Sequence, residues 1–587
     1  MNRRDFGRQA FRVAASLGMT SFSLGRVASF GLLGACGGSP AAGHARDDHD
    51  LSEDDAGAGD AATGGGQPGT TDAGHDAATL NDSGVRVDRN GVSVLIIGSG
   101  YGSAVTALRL TEAGIPVTML EAGRLWNTPG DDGKIFCKPF TPDGRAMWFQ
   151  SKTEAQVKTF LGVSTEMETP VEAGVLEARG PREMRVYQGR GVGGGSLVNM
   201  ALYLAPDRSM FERTLPAVDA DAFYGTYLPR AKMMLHAGSA SQRMIDSEFY
   251  RYSRVGIELA RNAGFKWAQL QSGYDFDYME RELDNQVPRS ALGGEAGFGN
   301  NYGKRSLDKT YLAEALGTGL LTLHALHIVK RIKPNGAGGY VVEVENIDLK
   351  GSVLGRKEFS CTHLFVGAGS MATSELLVAA RERGDLPNLN EKVGTKWGPN
   401  GDLFVALDTP LSLPTGADQC TIPSHCLITR DGKGRRTVAE FAPFPVGVPS
   451  WQSFIILIAD NPEAGYFKYD AGSDSVNLQW TRSQNEPSVA AAKYIFDQVN
   501  AANGTAYSTQ LTFQDNGQFG DQCTYHPLGG VPLGEATDEY GRIREYPGLY
   551  VTDGSLIPIG LGANPSLSIT ALAERNIEHV IAADFAS

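Results

Sequence analysis

Early in this 587-residue chain the apolar positions bunch rather than alternate: Val94 to Ile97 is an unbroken hydrophobic run, the pattern of a strand buried on both faces. Gly98, Gly100 and Gly102 follow it, with Tyr101 between them. Ala104 to Ala113 then takes up helical spacing until Gly114 stops it. A second apolar strand, Ile115 to Leu120, ends on Glu121. Strand, glycine turn, helix, strand and acid in this order form the fingerprint of a bound dinucleotide. Gly98 permits the turn, Gly100 lets backbone approach a pyrophosphate, the helix N-terminus aims N–H groups at it, and an acid about 20 residues on takes the ribose hydroxyls. Ser103 stands where the third glycine of the fingerprint belongs, and is small enough for the helix to lie close to the strand.

Further along, Leu320 to Ile328 and Tyr340 to Val344 read as strands. Leu364 to Ser370 repeats the strand-then-glycine turn, and Ser374 to Ala380 follows as a helix. Leu403 to Phe519 reads as β-rich, with strands at Val438 to Phe441 and Ser453 to Ile458. Gly548 to Ser555 is a short strand ending at the Asp553-Gly554 turn, and Asn564-Pro565 precedes a helix over Ser568 to Ala583. The fold class is therefore α/β, a discontinuous Rossmann-like domain assembled from 92–124, 304–395 and 541–587, with a second, α+β domain from 125–303 and 396–540. Within the first insertion, Gly189 to Asn199 (GRGVGGGSLVN) is too rich in glycine for a regular element and suits backbone lying flush against a flat or charged ligand.

The N-terminus reads differently. Arg3-Arg4-Asp5-Phe6 is a twin-arginine start, Ala14 to Ala35 is weakly apolar and broken by Arg26, and Leu33-Gly34-Ala35-Cys36 resembles a lipobox. Residues 1–36 are expected to be an export signal that leaves a lipid-anchored or secreted protein. Residues 37–91, rich in Gly, Ala and Asp, are expected to be a disordered tether. A formal charge of −14 argues against nucleic acid as a partner. The six cysteines show no metal-type spacing, and no metal site is visible. Cys420 and Cys426 are close enough to bridge in an oxidising compartment, although two buried thiols are the expected state.

Seven separated runs, GSGYGSAVTALRL, PGDDGKIFC, YQGRGVGGGSLVN, GNNYGKRSLDKTYL, TYHPLGGV, YPGLYVTDGSLIP and NPSLSITALAERN, resemble in order those of the glucose-methanol-choline oxidoreductases. Within that family they resemble the branch of bacterial cholesterol oxidases that hold FAD non-covalently. The resemblance implies an FAD domain and a steroid domain whose mixed sheet of about six strands roofs the pocket over the flavin. It places His526 at the substrate hydroxyl, Asn564 near the flavin face, and Glu440 as the base that moves a proton between ring carbons. It puts Gly194, Gly195, Ser196 and Asn199 along the isoalloxazine and phosphates, Glu121 at the adenosine ribose, Val329 at the adenine, and Asp553, Gly554 and Pro565 at the flavin end. Leu202, Val438 and Tyr525 join Glu440 and His526 around the substrate.

The residues themselves support these roles. Oxidising a secondary alcohol requires its O–H proton to leave, and an imidazole near neutrality is a suitable acceptor. A carboxylate among Val438, Ala439, Phe441 and Ala442 is costly to bury, so its pKa should rise. Departures from the family pattern are Met200, Ala201 and Leu202 in place of two glycines and a methionine, with Val438 and Ser566 in place of phenylalanines near the proposed oxygen route. The activity implied is oxidation of a 3β-hydroxysterol by O2 to give H2O2, with isomerisation of the 5-ene to the 4-ene ketone. The alternatives are a flavin dehydrogenase for another bulky alcohol with a non-oxygen acceptor, and a sterol-binding lipoprotein with a spent site. A monomer is expected, drawing sterol from a membrane or lipid particle, with Lys152 to Glu166 as a lid whose Val157, Phe160, Leu161 and Val163 meet the lipid.

Overall fold

The computed structural model describes residues 79–80, 86–139, 141–154, 159–160, 163–164, 166–443, 451–509, 512 and 523–586. All of them belong to one compact unit, His75–Ser587. The expected signal lies outside the described residues. So does most of the tether, but its last residues do not fit that reading: Arg86–Ile97 is one continuous strand. It pairs in parallel with Val353–Val366 from Val87↔Arg356 to Ile97↔Val366, so the partner's length supplies the hydrogen bonds that carry the strand back to Arg86.

An eight-stranded sheet forms the first layer. Its order is His327–Pro334, Tyr340–Ile347, Val353–Val366, Arg86–Ile97, Val117–Leu120, Leu321–His324, with Thr79–Leu80 added to Arg86–Ile97 and Leu549–Val551 to Val353–Val366. The strands around the fingerprint are parallel, and the meander from His327 to Val366 is antiparallel. The single strand expected over 320–328 is two, because Leu326 turns at φ 58° and sends the chain from one edge of the sheet towards the other. Val94 to Ile97 are all buried, as a strand covered on both faces should be.

The helix Tyr101–Glu112 starts earlier than its apolar spacing indicates, and packs against the C-terminal helix Pro565–Asp584. That helix also begins earlier than expected, with Pro565 in the first turn, where a missing N–H costs nothing. Gly102 makes close packing possible, since a Cβ there would lie 1.5 Å from the Thr552 carbonyl oxygen. A Cβ on Gly100, at φ −72°, would meet nothing within 4 Å. Gly102→Ala is therefore expected to destabilise the fold by about 3 kcal/mol or more. Gly100→Ala should leave the melting temperature of the apoprotein unchanged. Thermal unfolding of the two variants side by side checks this, and equal Tm losses would contradict it.

The second layer is a six-stranded sheet in the order Ala506–Tyr507, Asp402–Asp408, Gln452–Ala459, Arg436–Ala442, His425–Arg430, Trp267–Gln269. It has the expected number of strands, and its pairings are all antiparallel, so the mixture of directions falls in the larger sheet. His425–Arg430, Arg436–Ala442 and Gln452–Ala459 are consecutive antiparallel neighbours, which need no crossover connection.

Alternation along the strands divides this sheet into two faces. One face, with Leu403, Val405, Leu407, Leu427, Ala439, Phe441, Ile455 and Leu457, packs on helices Arg251–Asn262 and Glu486–Asn503. The second of these helices lies in a region read as β-rich. The alternate residues point the other way, and the register aligns Phe404, Ile456, Glu440 and Cys426 in one row. Asp402, Ile458, Val438 and Ile428 form the next row. Asp402 and Glu440 both lie on this face.

Candidate active site

Two glycine loops meet at the end of the fingerprint strand. Gly98 turns at φ 87°, and a Cβ there would strike the Gly367 carbonyl at 2.3 Å. Gly194 turns at φ 53°, where a Cβ would come within 2.9 Å of Gly100 Cα, so the second loop seats on the first only as glycine. Ser99 ties them together: its hydroxyl donates to Glu121 at 2.6 Å and accepts from the Gly193 N–H at 3.1 Å. Glu121 also accepts from the backbone N–H groups of Ser99 and Gly123, and burial pushes its carboxyl up against these bonds. Ser103, in the third fingerprint position, is buried with its hydroxyl on the Gly367 carbonyl.

Other expected cofactor residues lie close by. The Ser196 hydroxyl donates to Gly193 O at 2.7 Å and accepts from Leu307 N at 3.0 Å, so its proton is already engaged by the protein. Gly195 has open space where its Cβ would be. Asp553 accepts from Gly369 N, from Thr373 Oγ1 and from both N–H and hydroxyl of Ser555, which fixes the turn at Gly554. Val329 sits at an irregularity in its strand, two residues after His327, whose N–H donates to the Glu121 carbonyl.

Asn199 connects this region to the substrate side. Its Nδ2 donates to the Tyr101 hydroxyl at 2.8 Å, its Oδ1 accepts from Ala201 N, and its carbonyl accepts from the buried Lys304 ammonium. Burial pushes Tyr101 up to about 12, against hydrogen bonds with Asn199, Ser566 and Tyr203. Ala201 holds φ 49°, a left-handed backbone that a glycine would adopt without strain.

Glu440 is 1 % exposed. Burial pushes its carboxyl up to about 7, against the pull of His526 and a hydrogen bond with Asn564. Among the described residues its Oε1 has no hydrogen-bond partner, and neither has Oδ1 of Asn564. Asn564 precedes the C-terminal helix but its side chain does not cap it, leaving that oxygen for something else. The loop before it is held from the sheet side: Asn400 donates to Ala563 O and accepts from Leu561 N, and Arg436 donates to Gly562 O. Glu440, His526 and Asn564, distant in sequence, thus share one polar centre. An apolar wall of Leu202, Leu270, Cys426, Val438 and Ile458 adjoins it. Tyr525 stacks on Tyr187 at 4.7 Å and meets Phe404 edge-on.

Two residues here have no counterpart among those singled out by sequence: Ser99, and Asp402, whose Oδ1 lies 2.9 Å from His526 Nδ1. Asp402 Oδ2 takes the Thr524 hydroxyl at 2.7 Å and the Tyr525 N–H at 3.1 Å. For His526, burial favours the neutral ring, but the charge and hydrogen bond of Asp402, and the charge of Glu440, leave its pKa raised.

Models of the GMC oxidoreductase family match residues 166–380, and models of its C-terminal part match 400–513 and 468–573. The chain belongs to the GMC oxidoreductases. It is 26 % identical to a cholesterol oxidase of Mycobacterium tuberculosis, over 82 % of this chain and 90 % of that one. To a cholesterol oxidase of Acinetobacter baumannii it is 24 % identical, over 83 % and 94 %. Among solved structures it resembles pyridoxine 4-oxidase from Mesorbium loti (TM-score 0.56, 16 % identity, covering 83 % of this chain and 99 % of that one) and a fungal aryl-alcohol oxidase (0.55, 12 %, 84 % and 99 %). These likenesses show the fold.

GMC oxidoreductases bind FAD, and the residues present fit it. The open positions at Gly100 and Gly195 leave room for phosphate and ring, Glu121 stands at the end of the second fingerprint strand, and among the described residues Thr552 Oγ1 and Asn564 Oδ1 are buried without partners. Cys420 and Cys426 are buried and form no disulfide, so this pair consists of thiols. Of the expected lid, Val157 and Leu161 lie outside the described residues, and Thr159–Phe160 and Val163–Ser164 are described only as a short antiparallel pair.

Proposed function

We propose that this GMC oxidoreductase holds FAD non-covalently and oxidises the 3β-hydroxyl of a cholesterol-like sterol with O2, then converts the 5-ene-3-ketone to the 4-ene-3-ketone. The observation that carries the proposal is the unpartnered oxygen of a buried carboxyl, Glu440, beside His526 and Asn564 and next to an apolar wall. An alcohol oxidation alone needs one proton acceptor; a second, poised near neutrality in a dry setting, suits a proton moved between carbons. Similarity to cholesterol oxidases over most of the chain supports the same reading.

FAD, when bound, supplies the acceptor for the hydride from the carbinol carbon and passes the electrons to O2, giving H2O2. The protein supplies the rest. His526 takes the hydroxyl proton, Asn564 orients the polar end of the substrate, and Leu202, Val438 and their neighbours exclude water from the ring system. Glu440 then removes a proton from the carbon between ketone and alkene and returns it at the far end of the double bond. The protein works as a monomer, exported by its twin-arginine leader and held at the cell envelope, where it takes sterol from a membrane or lipid particle.

One observation favours a second reading, a dehydrogenase for another bulky alcohol with a non-oxygen acceptor. Ser566, in the first turn of the C-terminal helix, joins the hydrogen bonds around Tyr101 and makes this side of the site polar. Comparing O2 with a quinone as acceptor, across 3β-hydroxysteroids and benzylic alcohols, separates the two. Sterol turnover with stoichiometric H2O2 is expected, and faster turnover of benzylic alcohols with the quinone would favour the second reading.

A further inference from the structure

We infer that Asp402 is the positioning residue for His526, fixing the imidazole as the tautomer with its proton on Nδ1 so that the Nε2 lone pair faces the substrate. This rests on the reading of His526 as the proton acceptor. Asp402 opens the strand Asp402–Asp408 opposite Ile458, on the face that carries Val438 and Glu440, and is 3 % exposed. A carboxylate offers only acceptors. Its Oδ2 is taken by the Thr524 hydroxyl and the Tyr525 N–H, and Oδ1 faces His526 Nδ1 at 2.9 Å. The His526 N–H donates to Thr524 Oγ1, so Asp402 holds both the ring and the backbone that carries it.

In the neutral ring the nitrogen facing an acceptor must carry the proton, which leaves Nε2 bare. The tautomer that could not accept a proton at Nε2 would place two lone pairs against each other at Nδ1. Among the described residues the charged groups facing His526 are Asp402 from one strand and Glu440 from another, both of which favour the imidazolium formed when the substrate proton arrives. Nothing in the Gly401-Asp402-Leu403 stretch announces this, because the partner lies more than a hundred residues downstream.

Two experiments test the inference. In the holoenzyme labelled with 15N-histidine, and with the His526 signal assigned by its absence in His526→Gln, the neutral ring should show a protonated Nδ1 and a bare Nε2. A signal with the proton on Nε2 would overturn it. In Asp402→Asn, the acid limb of anaerobic flavin reduction by sterol should move to lower pH by about 1 to 3 units, and the plateau should fall at least about tenfold. Asp402→Glu should restore part of the plateau. An unmoved limb with a plateau near that of the wild type would overturn the inference. The nitrogen spectrum needs no substrate, so failure of the sterol to reduce the flavin would count against the proposed substrate and not against Asp402.

Discussion

Replacing His526 by glutamine is expected to lower the rate of flavin reduction by about 10²- to 10⁴-fold, the range that removing a positioned general base produces. The FAD content should not change. No FAD-side group among the described residues leans on the imidazole: its contacts are Asp402 through Nδ1 and Thr524 through its backbone N–H, and glutamine retains the backbone one. Glutamine also leaves Asp402 its bonds from Thr524 and Tyr525, so no buried charge is stranded. Stopped-flow reduction of purified variant with its flavin spectrum intact is the measurement. A rate within about threefold of wild type would remove His526 from the proton transfer, because the loss of a base cannot be so small.

Glu440→Gln is expected to separate the two reactions. Oxidation should continue within about fivefold of wild type, while isomerisation falls by about 10²- to 10⁴-fold, so that the unconjugated ketone accumulates. The isomerase rate of wild type should climb as pH rises through about 7, where Glu440 becomes a carboxylate. The same substitution carries a stability signature. The folded carboxyl, at about 7, binds its proton more tightly than the unfolded one, at 4.5, so wild type loses stability as pH rises between these values. The loss amounts to roughly 3 kcal/mol above pH 7. Glutamine carries no charge, so the variant should melt higher than wild type at pH 8 and alike at pH 4. Equal loss of both activities, or a variant less stable at pH 8, would contradict the assignment.

The fingerprint was legible because its chemistry is local: a strand buried on both faces, a glycine at φ 87°, and a small residue at each close approach. Glu440 was half legible. A lone acid in an apolar run announces a burial cost, but the face it takes depends on register with Cys426 and Ile456. The helix Glu486–Asn503 has a helical trace in the sequence, with Ser488, Ala491, Ala492, Ile495, Phe496 and Val499 on one side and Gly504 ending it. Strand-like neighbours on both sides masked the period. The break at Leu326 could not be read, since a leucine at positive φ is held there by tertiary contacts and not by its own preference. Asp402 and Ser99 were out of reach for a different reason. Each acts on partners brought in by folding, and an acid at the start of a strand or a serine in a glycine turn has an ordinary local explanation.

The central claim is that separate segments of this polypeptide close around one flavin and set His526, Glu440 and Asn564 against a sterol. Its most direct test is anaerobic mixing of the purified protein with a 3β-hydroxy-5-ene sterol, following flavin absorbance and formation of the conjugated ketone together. The expected result is a yellow protein that bleaches in a single turnover and releases the 4-ene-3-ketone. A protein that is colourless and takes up no added FAD, or one whose flavin stays oxidised with every sterol yet bleaches with a small alcohol, would contradict it.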